Sequence, residues 1–278
     1  MIVDFHTHAF PEKIAANAVA ALAAASRTKP FTAGTPAALS ASMREAGIDR
    51  AVVLPVATNP AKIAHLNDVT FAENGKNGLI YFGCVHPDAE NALEEIDRMA
   101  QNGVRGFKIH PVYQRVPIDD RRFLAILDRA GERGLTVVTH AGDDIGFPGA
   151  VFCSPEMIAN ALRQVGPVKI VLAHMGGWKN WERVAPCLAD GSAYLDTSFS
   201  LGEIPGVEGA YGPEERKLLS AAAFCKLVRA FGSKRVLFGT DSPWTGQKES
   251  LAAIRALPLT DEEKDDILGG NAKTLLGI

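Results

Sequence analysis

Short apolar runs rich in β-branched residues alternate eight times with amphipathic helical stretches along the 278 residues, and this pattern limits the possible folds most strongly. Continuously apolar runs are typical of strands buried on both faces of a parallel sheet, and parallel pairing requires a crossover after each strand. The predicted strands span residues 2–5, 51–54, 79–85, 104–109, 135–139, 169–173, 193–196 and 235–239.

Eight strand–helix units in fewer than about 300 residues predict an α/β fold, a (β/α)8 TIM barrel formed as a single domain over residues 1–278. A doubly wound open sheet usually has fewer strands and a glycine-rich phosphate turn, and the motif Gly-x-Gly-x-x-Gly does not occur here. Two longer segments, residues 9–35 with an alanine-rich helix and residues 197–213, are expected at the mouth where barrel enzymes bind their substrates.

Helix boundaries are also signalled locally. Thr35 and Pro36 predict the start of a helix that ends at Gly47. Asp88 is expected to cap another helix, which ends at Gly103.

Composition narrows the class of partner. The net charge is -3, and the lysines and arginines are dispersed, so the chain has neither a basic stripe for nucleic acid nor a polybasic membrane patch. No window approaches the roughly 20 apolar residues that span a bilayer. The four cysteines are far apart and indicate free thiols. We therefore expect a cytoplasmic protein whose partner is a small molecule.

His6 and His8 follow the apolar start of the first strand. Residues two apart on a strand point to the same face, so the two imidazoles can reach one metal ion. Two hydrogen-bonded core histidines would give the same spacing, and the rest of the chain has to decide between these interpretations.

Residues with ligand chemistry lie at the carboxyl ends of five predicted strands, where a barrel active site is located. They are His6, His8, Lys108, His110, His140, His174 and Asp241. Neutral imidazoles with a carboxylate suit zinc, and less selectively iron, manganese or cobalt.

Five short motifs in a fixed order carry a family resemblance. They are Asp-Phe-His-Thr-His from residue 4, Gly-Phe-Lys-Ile-His-Pro from 106, Thr-His-Ala-Gly from 139, Ala-His-Met-Gly-Gly from 173 and Phe-Gly-Thr-Asp-Ser-Pro-Trp from 238. The chain resembles the amidohydrolase superfamily, in the branch that includes aminocarboxymuconate semialdehyde decarboxylase and related aromatic acid decarboxylases and hydrolases.

This resemblance implies a divalent metal, with Zn²⁺ favoured, held by His6, His8, His140 and Asp241. It also implies that His174 is an acid–base group or oxyanion stabiliser. Asp241 is expected to take a proton from metal-activated water and to deliver it to the leaving group.

Lys108 admits two interpretations. Some amidohydrolases carboxylate a lysine at this position and use it to bridge two metals, with the equivalent of His174 on the second ion. Alternatively, Lys108 stays an ammonium group and binds a substrate carboxylate. We favour one ion, because the branch resembled is mostly mononuclear.

The predicted reaction is hydrolysis of a small-molecule amide, ester or lactone. The alternative is non-oxidative, metal-dependent decarboxylation of a conjugated or aromatic acid, and a third reading is a barrel that binds but no longer catalyses. His110, Phe147, Trp178 and Trp244 are expected to line the substrate pocket. A homodimer is expected from the resemblance alone.

Overall fold

Nine short strands, all paired in parallel, form the centre of the protein, whose computed structural model describes residues 1–278. They are β1 (Val3–Thr7), β2 (Arg50–Val53), β3 (Leu79–Tyr81), β4 (Gly83–Cys84), β5 (Gly106–Ile109), β6 (Thr136–Thr139), β7 (Lys169–Leu172), β8 (Tyr194–Asp196) and β9 (Val236–Leu237). Hydrogen bonds order them β1-β2-β3 in one ladder and β4 to β9 consecutively in the other.

Backbone hydrogen bonds connect the two ladders. The predicted third strand is present as β3 and β4, interrupted at Phe82, and Phe82 N donates to Val53 O of β2 at 3.0 Å. At the other junction, Phe5 N of β1 donates to Phe238 O, just after β9, at 2.7 Å. Counting β3 and β4 as one strand gives eight, and the predicted (β/α)8 TIM-barrel class is confirmed.

At least one helix follows every strand except β3, and the alanine-rich helix predicted within residues 9–35 is the first of them. The helices are α1 (Glu12–Ser26), α2 (Pro36–Ala46), α3 (Ile63–Glu73), α4 (Ala92–Gln101), α5 (Pro111–Gln114), α6 (Arg121–Glu132), α7 (Pro155–Gln164), α8 (Trp181–Leu188), α9 (Pro213–Arg216), α10 (Ala221–Phe231), α11 (Gln247–Ala256), α12 (Asp261–Asp265) and α13 (Asn271–Leu276). None of them combines the length and apolar composition that a membrane-spanning segment requires.

One predicted helix cap is confirmed and one is wrong. The Thr35 side chain accepts a hydrogen bond from the first turn of α2, and Gly47 ends that helix in the left-handed conformation. Helix α4 begins only after Asn91, which leaves Asp88 outside it. The Asp88 carboxylate forms an ion pair with Arg122 of α6 instead.

A continuous core fixes the strands that carry the site. One cluster of 48 buried apolar residues joins helices to strands, and it includes Phe107 of β5, Met99 of α4 and Phe123 of α6. A second cluster of 10 buried residues connects β1 with α13. The polar residues described next follow these packed strands at their carboxyl ends.

Candidate metal centre

His6, His8 and Asp241 meet where the carboxyl end of β1 lies beside the segment that follows β9. Asp241 Oδ1 lies 3.0 Å from His8 Nε2 and 3.5 Å from His6 Nε2. One donor atom from each residue lies within 4.8 Å of the other two. Since zinc binds nitrogen and oxygen ligands at about 2.0–2.2 Å, this spacing suits three ligands of one cation.

Hydrogen bonds at Nδ1 of His6 and His8 orient the two rings and leave the Nε2 lone pairs toward Asp241. His8 Nδ1 lies 2.8 Å from Leu54 O, and His6 Nδ1 lies 2.8 Å from Asp196 Oδ2. Because a carbonyl and a carboxylate only accept, both Nδ1 atoms carry the proton and both Nε2 atoms present lone pairs to Asp241. The lone pairs of His8 Nε2 and Asp241 Oδ1 face each other at 3.0 Å, which calls for a cation or a proton between them. This donor set fits a divalent metal.

The surroundings of His6 keep its imidazole neutral, the form in which it can bind a metal. Burial, followed by the positive charge of Lys108, lowers the pKa of His6 to about 4, so the ring is neutral at pH 7. Burial alone would raise the pKa of Asp241, but the hydrogen bond from His8 and the positive charge of the His6 ring, which these rings supply when protonated, hold it below the ordinary value. The carboxylate is therefore ionised.

Asp196 is a fully buried carboxylate that connects three parts of the site. Besides His6, it accepts hydrogen bonds from His174 N at 3.1 Å and Ser198 N at 3.0 Å through Oδ1. Burial alone would raise the pKa of Asp196, but the charge that the His6 ring carries when protonated and its hydrogen bond, with the charges of protonated His174 and of Lys108, hold it well below its usual range. The sequence placed Asp196 at a strand end but did not reveal its contact with a metal-ligand candidate.

Lys108 is only 1% exposed, and its Nζ lies 3.4 Å from His6 Nε2. Burial lowers the pKa of Lys108 to about 8, although the charges of Asp196 and Asp241 oppose this shift. No carboxylate lies within 4 Å of the ammonium group. Lys108 is thus a buried cation beside the donor triad without an ion-pair partner.

His140 lies outside the donor triad of His6, His8 and Asp241, so its place in the predicted ligand set stays a prediction. Its Nδ1 lies 3.1 Å from His174 Nε2, and its Nε2 lies 3.0 Å from Asp143 O. His174, whose ring is centred 5.3 Å from that of His6, connects His140 to the triad.

A second donor group consists of His110, His140 and Asp144, all buried. Asp144 Oδ2 lies 3.6 Å from His110 Nε2 and 3.9 Å from His140 Nε2. The His110 ring stacks between those of His140 and Tyr113, with centroids 4.3 and 4.0 Å away. Sequence reasoning missed Asp144; its position four residues after His140, in the loop after β6, is the signal that was available.

The aromatic residues predicted for the pocket occupy different environments. Trp178 is buried against Phe199 and donates to its carbonyl at 3.2 Å. Trp244 is partly buried and packs against the same cluster, whereas Phe147 is 40% exposed and contacts Tyr113 edge-on. Their role in substrate binding stays a prediction.

The barrel fold, with imidazoles and a carboxylate at the carboxyl ends of its strands, defines a TIM-barrel enzyme of the metal-dependent type. The chain belongs to the amidohydrolase family, whose model matches residues 3–278. No curated protein matches the sequence significantly. The family resemblance carried by the five motifs is confirmed.

Solved structures agree on the fold. An uncharacterised TIM-barrel protein of Bordetella bronchiseptica is 19% identical, with a TM-score of 0.77 over 99% of this chain and 98% of that one. A putative 2-pyrone-4,6-dicarboxylic acid hydrolase of Pseudomonas putida is also 19% identical, with a TM-score of 0.66 over 99% and 97% of the two chains. A manganese-bound 5-carboxyvanillate decarboxylase of Novosphingobium aromaticivorans is 16% identical, with a TM-score of 0.66 over 100% and 97%.

Proposed function

We propose that this protein is a metal-dependent hydrolase of a small-molecule amide, ester or lactone. The observation that carries the proposal is the convergence of His6 Nε2, His8 Nε2 and an Asp241 carboxylate oxygen within 4.8 Å. The predicted cytoplasmic location and homodimer remain predictions.

These residues would hold one divalent ion, and we propose Zn²⁺ because neutral imidazoles and a carboxylate are its usual ligands. His140 is proposed as the fourth ligand. A bound divalent cation lowers the pKa of water toward neutrality and polarises a carbonyl group. The decarboxylase relative holds manganese, so both metals belong in the assay.

Asp241 is the proposed general base. It is ionised, it sits beside the imidazoles of His6 and His8, and its second oxygen is available to take a proton from water and return it to the leaving group. His174 Nδ1 lies 3.1 Å from Ser198 O and must donate to it, because a carbonyl only accepts. The neutral ring therefore carries its lone pair on Nε2, 3.1 Å from His140 Nδ1, and burial favours this form by lowering the pKa of His174. His174 is proposed to stabilise the developing oxyanion by donating from Nε2 in its imidazolium form.

Decarboxylation is the second candidate, and Lys108 is the observation in its favour. A buried ammonium group with no carboxylate within 4 Å is suited to bind a substrate carboxylate. In that reaction Asp241 or His174 would protonate the carbon that loses carbon dioxide.

A paired assay separates the two reactions. Protein loaded with Zn²⁺ or Mn²⁺ is incubated with panels of lactones, esters, amides and hydroxybenzoates, while proton release and carbon dioxide are recorded. Hydrolysis predicts proton release from a lactone or ester without carbon dioxide. Carbon dioxide from a carboxylic acid would replace the hydrolase assignment with the lyase, and inactivity on every panel would contradict both.

Asp196→Asn is expected to weaken the affinity for Zn²⁺ about 10- to 100-fold, the usual effect of losing the carboxylate that orients a ligand histidine. The amide removes the negative charge that keeps the proton on His6 Nδ1, which lies 2.8 Å from Asp196 Oδ2. Competition titration with a chromophoric chelator measures the change. Asp190→Asn, at an exposed position, is the matched control and should leave the affinity unchanged; an equal effect in both variants would contradict the role of Asp196.

A further inference from the structure

Asp4 is a fully buried carboxylate that forms no hydrogen bond with either imidazole of the donor triad. Its Oδ1 accepts hydrogen bonds from His6 N at 3.2 Å and Thr240 N at 3.0 Å. Its Oδ2 accepts from Thr240 Oγ1 at 2.6 Å and Gln247 Nε2 at 2.8 Å. Four donors from β1, the segment after β9 and α11 therefore converge on one side chain.

Hydrogen bonds also hold the two residues that follow Thr240. Its Oγ1 accepts from Ser242 N at 3.1 Å, while Asp241 N donates to His6 O at 2.8 Å. Asp241 itself has φ of 64°, a left-handed conformation that is strained for a residue with a side chain. Such a backbone persists only where its surroundings hold it.

We propose that Asp4 and Thr240 are positioning residues that set the place of Asp241 relative to His6 and His8. The two histidines and the aspartate come from opposite ends of the sequence, and Asp4 binds the backbone of both segments directly. We call the hydrogen bonds by which Asp4 and Thr240 connect the two segments the tether. The inference rests on the proposed metal centre, because the spacing that the tether would set is that of the three donor atoms.

Thr240→Val tests the tether, because valine keeps the shape of threonine but removes the hydroxyl that binds Asp4 and Ser242. We expect the dissociation constant for Zn²⁺ to rise about 10- to 100-fold in folded protein, as for other residues that orient metal ligands. Thr240→Ser retains the hydroxyl and should restore an affinity close to that of the wild type. Hydrogen–deuterium exchange of a peptide covering residues 239–245 should be faster in the valine variant only.

Gln247→Met is the matched control for this experiment. It removes a hydrogen bond from the same Asp4 oxygen but leaves the Thr240 contacts in place, and the Gln247 Oε1 that it also removes has no hydrogen-bond partner. Asp4→Asn is the second variant. Each Asp4 oxygen accepts two donors, so an amide nitrogen in either position faces donors, and the Zn²⁺ affinity should fall at least as far as in Thr240→Val.

Equal Zn²⁺ affinities for Thr240→Val and Thr240→Ser would overturn the positioning role. So would a loss of Zn²⁺ affinity in Gln247→Met as large as that in Thr240→Val. If wild-type protein takes up no Zn²⁺ or Mn²⁺, the proposed metal centre fails, and hydrogen–deuterium exchange alone then tests the tether. In that case, exchange of residues 239–245 that is as slow in Thr240→Val as in the wild type would overturn the tether.

Discussion

Asp241→Asn is expected to lower kcat about 10²- to 10⁴-fold while the fold is kept, the range typical of losing a general acid–base group. That loss corresponds to about 3 to 5 kcal/mol of transition-state stabilisation. Asparagine has nearly the same shape as aspartate but neither takes a proton nor balances the charge of a cation beside His8. The variant is assayed on the substrate found by the panels, after saturation with Zn²⁺.

Two comparisons make this result specific. The exposed Asp190→Asn should keep the wild-type rate, and circular dichroism with urea unfolding should show that Asp241→Asn is folded. Near-normal turnover by Asp241→Asn, with metal bound, would show that Asp241 is not the base.

His174→Asn is expected to lower kcat about 10²- to 10³-fold without changing the number of bound ions. In the one-metal centre His174 is not a ligand, and its imidazolium form would donate a hydrogen bond to the developing oxyanion, so the metal ligands remain intact when it is lost. Asparagine retains an N–H donor but does not reach as far as His174 Nε2, which lies 3.1 Å from His140 Nδ1. Elemental analysis of dialysed protein counts the ions, and steady-state kinetics give kcat.

The stoichiometry distinguishes the two models of Lys108. A fall from two ions to one in His174→Asn would replace the single-ion centre with a pair bridged by a carboxylated Lys108. His65→Asn, on the exposed surface of α3, is the control for the loss of an imidazole and should change neither measurement.

The strand pattern made the fold predictable, because the period of apolar runs determines which elements can pack as a parallel barrel. His6 and His8 were also predictable as a pair, since strand geometry puts residues two apart on one face. The break between β3 and β4 was not predictable from the sequence. A Cβ on Gly83 would lie 2.0 Å from Met99 Sδ, so a close helix contact decides the local geometry there.

Sequence patterns placed Asp4 and Asp196 on their strands, but the contacts by which they support the donor triad were beyond the reach of such patterns. Asp196 and His6 are 190 positions apart, and Asp4 and Thr240 are 236 apart, so their contacts exist only through closure of the barrel. Asp144 likewise joins His110 through the packing of two loops. Position at a strand end indicates that a side chain can reach the site, whereas hydrogen-bond direction decides what it does there.

The most direct test is the metal content of purified protein compared with its activity before and after chelation. We predict about one divalent ion per chain, loss of turnover when it is removed, and recovery on adding Zn²⁺ or Mn²⁺. His8→Asn, which removes one of the three converging donors, should bind the ion much more weakly. Full activity in wild-type protein stripped of metal would contradict the claim that His6, His8 and Asp241 form a catalytic metal centre.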